Sequence, residues 1–122
     1  MASRAMDPRI EEVIDSMTDD LRHNPSLAEI AESVNLSLSR FSHLFKLVTS
    51  QSPGQYLRKL RMERARELLE TTWMKVKDIS AAVGVSDSSH FVREFKKLYG
   101  AFPTDYRIQH RRTIRMTRQS DG

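Results

Sequence analysis

The sequence predicts an all-α fold built as two helix-turn-helix subdomains joined by a long linker helix. Three observations carry that prediction. Apolar residues recur at three- and four-residue spacing in stretches that each open on a capping signal. Gly84, and Asn35 in the equivalent place, stand where a helix must end in a residue that tolerates a left-handed backbone. The third is an internal repeat. Ile30, Val34 and Ser37 return 49 residues on as Ile79, Val83 and Ser86; Phe41, Phe45, Lys46, Pro53 and Tyr56 return 50 residues on as Phe91, Phe95, Lys96, Pro103 and Tyr106. The unit occurs twice and no further, which describes a tandem pair and no solenoid.

In chain order, Met1 to Met6 has no periodicity and is read as a disordered N-terminus. Asp7-Pro8 is an N-cap followed by proline at the first helical position, and Ile10, Val13, Ile14, Met17 and Leu21 form a stripe ending near Arg22. Asn24-Pro25 breaks that helix. Ser26 with Glu29 makes a capping box for a second helix with Leu27, Ile30, Ala31 and Val34 inward. Ser37 caps a third, whose core side is Leu38, Phe41, Leu44, Phe45 and Val48, completing a first subdomain over residues 7–51.

Ser52-Pro53 with Gln55 opens the linker helix, residues 52–70, with Tyr56, Leu57, Leu60, Ala65, Leu68 and Leu69 apolar; from Pro53 to Glu70 it would be about 27 Å long at ~1.5 Å per residue. The second subdomain spans 71–109. Within it Ile79, Ala82 and Val83 mark a short helix, Gly84 a turn, and Ser86 or Asp87 the cap of a helix buried through Phe91, Phe95 and Leu98. From Pro103 a last short helix turns Tyr106 inward. The basic tail, residues 110–122 with Arg111, Arg112, Arg115 and Arg118, is expected to be disordered, either solvated or a phosphate-binding arm. Trp73, between the two subdomains, is expected to pack between them.

A net charge of +4 conceals an asymmetry. Up to Asn35 three arginines face eight acids; from there on seventeen Lys and Arg face eight acids. Such polarity suits a domain with one side turned to phosphate, and equally a solvated surface. The helix from Ser88 carries Ser88, Ser89, Val92, Arg93, Lys96 and Lys97 opposite its phenylalanines, short polar groups followed by cations. A capped helix, a tight turn and a second helix with one apolar and one basic side make a device for reading DNA.

The run Val76 to Arg107, with Gly84, Phe91, Phe95, Gly100, Pro103 and the Tyr106-Arg107 pair at fixed spacing, resembles the C-terminal signature of AraC/XylS-type transcription regulators. Together with the repeat, the resemblance covers about residues 7–109. Val85 departs from it where an aromatic is usual, and Phe102 where serine would cap. The resemblance implies sequence-specific binding to double-stranded DNA, with two recognition helices in successive major grooves. Its contact positions, carried through the repeat, fall on Ser39, Arg40, Ser42 and His43 in the first unit and Ser88, Ser89, Val92 and Arg93 in the second. For Arg93 and His43 a base-edge contact stands against a surface role; Val92 offers only apolar contact, for instance to a thymine methyl. Lys46, Lys96, Lys97 and Arg107, later on their helices, are expected at phosphates.

Other classes fit poorly. There is no glycine-rich phosphate loop, no HExxH and no nucleophile elbow, and His23, His43, His90 and His110 share no ligand spacing, so no enzyme, metal or cofactor is expected. No apolar run approaches the ~20 residues of a membrane span, and the cysteine-free chain suits a reducing cytoplasm. The competing class is a helical protein-interaction module docking through its acidic first helix. The resemblance further implies RNA polymerase as a partner, and a separate effector-binding or dimerisation domain for which 122 residues leave no room. The chain is then either an isolated output domain or a stand-alone regulator.

Overall fold

The computed structural model describes residues 7–23 and 25–121, and side chains as far as 117. The readings of Met1 to Met6, of Asn24, of the Arg118 side chain and of Gly122 fall outside these residues. The described chain is all-helical: α1 Pro8–Asp19, α2 Leu27–Ser33, α3 Leu38–Thr49, α4 Pro53–Thr71, α5 Val76–Ala82, α6 Ser88–Tyr99 and α7 Pro103–Asp121. It forms two compact units that divide inside α4, between Leu60 and Arg61.

In the first unit, the Asp7 carboxylate accepts the Arg9 backbone N–H at 2.9 Å and starts α1, whose Ile10, Val13 and Met17 are buried. Leu21 joins them from beyond the end of α1, which stops at Asp19 rather than near Arg22. Ser26 and Glu29 form the expected reciprocal box at the start of α2. Asn35 then takes φ 60°, and the Leu36 N–H returns to the Ala31 carbonyl at 3.0 Å. Ser37 caps α3, and Phe41 and Phe45 seal the core with no exposed surface. Leu38, expected inward, is the first residue of α3 and is 45% exposed.

The second unit repeats this plan. Gly84 takes φ 87°, the Val85 N–H returns to the Ser80 carbonyl at 2.9 Å, and Asp87 rather than Ser86 caps α6. Ser80 occupies the place of Ala31; its buried hydroxyl is satisfied by donating to the Val85 carbonyl at 2.6 Å. Phe95 meets Tyr106 edge-on at 5.6 Å, as Phe45 meets Tyr56 at 5.3 Å. Even the left-handed helix ends correspond, Ser50 at φ 66° and Gly100 at φ 80°. Leu98 is not buried but 53% exposed, because Tyr99 packs on Phe95 at 4.7 Å and takes the inward position.

Two expectations change, and one gains detail. Helix α4 joins the two units as a long linker helix and also packs into both: Leu57 is buried in the first core, and Met62, Ala65, Leu68 and Leu69 in the second. The spacing Ile10, Val13, Met17 returns 52 residues on as Met62, Ala65, Leu69, so the second half of α4 serves unit two as α1 serves unit one. Helix α7 is not short, and residues 110–121 continue it instead of forming a disordered tail. The last carbonyls of α4 lack partners within their own helix. Arg107 Nε donates to the Leu69 carbonyl at 3.1 Å and Arg111 Nη2 to the Thr72 carbonyl at 2.9 Å, which ties the middle of α7 to that end. Trp73, finally, is 74% exposed, with the Arg111 guanidinium stacked 3.5 Å from its ring.

Candidate nucleic-acid interface

Phenylalanines four apart hold α3 and α6 against their cores, so the residues between them form an outward strip on each helix. On α3, Ser39, Arg40, His43 and Lys46 are exposed and Ser42 is half-buried. On α6, Ser89, Arg93, Lys96 and Lys97 are exposed. Ser88 and Val92 are partly buried, and Val92 packs against the second core, which restricts any contact it makes to its outer methyl.

Both strips begin at a capped N-terminus. Ser37 Oγ accepts the Arg40 N–H at 3.2 Å; Asp87 Oδ1 accepts the Ser89 and His90 N–H groups at 3.0 and 3.1 Å. The caps and starts of α3 and α6 differ by 50 residues, so Arg40 is in register with His90 and His43 with Arg93. His90 is exposed and belongs to the strip. It is not among the residues expected at the bases, although the 50-residue offset that relates the phenylalanines points directly to it.

The cations separate into two kinds. Lys46, Lys96 and Lys97 lie exposed in the last turns of their helices, with the Lys96 ammonium 4.3 Å above the Phe102 ring. Phe102 thus supports a cation where its repeat counterpart, Ser52, caps a helix. Arg107, also expected at a phosphate, is placed differently. It is half-buried, bonded to Leu69, and its guanidinium is held below the usual range by burial and then by the Arg111 charge. It belongs to the joint between α4 and α7. Arg112 and Arg115 remain exposed.

One concavity adjoins the first strip. A cleft of about 330 Å³ is lined by Arg9 of α1 together with Leu36, Ser39, Arg40, His43 and Leu44. Arg9 carries no periodic signal, and its proximity to α3 depends on how α1 packs. Among the described residues no group of three or more His, Cys, Asp or Glu could hold a metal ion, and no helix is long and apolar enough to cross a membrane.

Comparison with known proteins agrees with this geometry. A family profile described as a helix-turn-helix domain matches residues 30–109. The chain is 37% identical over 103 residues to the arabinose operon regulatory protein of Escherichia coli (strain K12), covering 84% of this chain and 35% of that one. It is 32% identical over 100 residues to the transcriptional regulator GbdR of Pseudomonas aeruginosa, covering 82% and 27% respectively. The chain therefore spans about a quarter to a third of the length of these curated relatives. Among solved structures it superposes on the C-terminal domain of AraT, a response regulator from Geobacillus stearothermophilus, with TM-score 0.81, 28% identity and coverage of 87% of this chain and 88% of that one.

Proposed function

The chain belongs to the AraC/XylS-type helix-turn-helix family, and from that premise we propose that it binds double-stranded DNA as a transcription regulator, each unit reading a major groove with its own recognition helix. The observation that carries this reading is the pair of matched strips on α3 and α6, in register, capped alike and graded from hydroxyls to cations. Arg93, and His43 in its place on α3, are the candidate base readers with Ser39, Arg40, Ser42, Ser88, Ser89 and the edge of Val92; arginine reading guanine O6 and N7 is worth roughly 1 to 3 kcal/mol of discrimination. Lys46, Lys96 and Lys97 hold phosphates and set register without specifying sequence. The acids of α1 lie on the exposed side of a helix that contributes no strip, which leaves the reading faces cationic.

The family is non-enzymatic, and the names of its longer relatives place them among operon and transcription regulators. A separate effector-binding or dimerisation domain, RNA polymerase as partner and a cytoplasmic location all follow from this reading. Salt dependence tests it directly. With some six to ten phosphate contacts, affinity for duplex DNA falls on the order of 10³ to 10⁵-fold between 50 and 200 mM salt. A flat profile, as for a protein-interaction module, would overturn the assignment.

A further inference from the structure

Arg9 is the only cation on α1, whose other charged residues are Glu11, Glu12, Asp15 and Asp19. It stands at the end of the helix that borders α3, where it lines the cleft with Ser39, Arg40 and His43. No carboxylate lines that cleft, and its walls are completed by Leu36 and Leu44. Asp7 holds the Arg9 guanidinium from behind. Nε donates to Oδ1 at 3.3 Å and Nη2 to Oδ2 at 3.2 Å, while the same carboxylate caps α1 through the Arg9 backbone N–H. The Arg9 side chain is still 50% exposed. A long side chain thus arrives already ordered, with donors to spare, since the planar guanidinium carries five N–H groups and Asp7 engages only one edge.

We propose that Arg9 is a further DNA contact, holding a backbone phosphate in the cleft between α1 and the first turns of α3. The proposal rests on the reading of the chain as a DNA binder. Two guanidiniums, an imidazole and a hydroxyl line one concavity with no carboxylate among its walls, which suits a phosphate and disfavours a cation. The contact fixes how α3 enters its groove, so Arg9 positions the reader without reading a base. In the second unit the residue in the same core register, Arg61, is partly buried and its guanidinium is pushed below the usual range by that burial, so the two units do not offer the same cation.

The test compares the full chain with Arg9→Gln and Arg9→Lys, titrating a binding site selected from random duplex and an unrelated duplex across a salt series. For Arg9→Gln the expected result is a roughly tenfold or greater loss on both duplexes and a log-log salt slope shallower by about 0.9. Arg9→Lys restores the slope, because it restores the charge. A purely structural role through Asp7 would lower the melting temperature and leave the slope at its wild-type value, and that result overturns the proposal. So does an inorganic phosphate that stabilises the wild type against melting while Arg9→Gln binds duplex unchanged, since the cleft would then hold a free anion. A wild type that binds salt-dependently beside an unaffected Arg9→Gln removes this inference and spares the functional reading; a wild type that does not bind DNA removes both.

Discussion

Arg93 and His43 occupy the same register position on two helices built alike, and the difference between them is chemical. Arginine presents a fixed planar fork of five donors that matches guanine O6 and N7 together, whereas an imidazole presents two ring nitrogens on opposite edges. The second unit therefore has the stronger candidate reader. Residues of this kind were legible from spacing alone, because the Phe91/Phe95 pair fixes which side faces out. Tyr106 was legible as core, but not in its chemistry: its hydroxyl donates to Glu70, 36 residues away. Burial, reinforced by that bond, pushes the Tyr106 phenol from its ordinary 10.0 up to about 12. A folded-state value above the unfolded one stabilises the protein fully below about pH 10, and that contribution is lost as pH rises through about 12. Tyr106→Phe is expected to cost about 1 to 2 kcal/mol near neutrality and to lose stability less steeply over the alkaline window in denaturant titrations. Some slope remains, because burial raises Tyr99 as well.

At the scale of elements, what the sequence displayed best was local. Caps at Asp7, Ser26, Ser37, Ser52 and Asp87 act within three residues, and a left-handed turn is announced by the residue that adopts it. Gly84 at φ 87° admits almost no β-branched substitute, so Gly84→Val is expected to cost roughly 1 to 3 kcal/mol in backbone strain. Its melting temperature should drop, and affinity for all duplexes should fall together with site preference unchanged. An unaltered melting temperature would show that the α5–α6 turn is not strained as the dihedral angle indicates. The misread elements depended on distant partners. Helix α7 outran its expected end because Arg107 and Arg111 reach carbonyls 38 and 39 residues earlier. Trp73 likewise finds its partner far along the chain, the Arg111 guanidinium stacked on its ring, and stays exposed otherwise.

For the whole molecule, the duplication was visible in the sequence from Ile30 onward and hidden before it. Ile10, Val13 and Met17 share only spacing with Met62, Ala65 and Leu69, and the latter sit inside a helix that runs unbroken from the first unit into the second. Spacing without matching residue types carries too little signal to reveal a repeat, so the sequence shows α4 as a connector and only its burial shows that it also packs into both cores. The Arg9 cleft was hidden for a different reason, since it depends on α1 packing against α3. Whether each unit reads DNA through its own helix is decided by footprinting the monomeric chain on a selected site. Two protected blocks about one helical turn, ~10 base pairs, apart are predicted. Arg93→Ala should relax base preference in one block by roughly 1 to 3 kcal/mol, and His43→Ala or Arg40→Ala in the other, the effects nearly adding because the strips share no residues. A single protected block, with Arg93 and Arg40 substitutions disturbing the same base pairs, would contradict reading by both units.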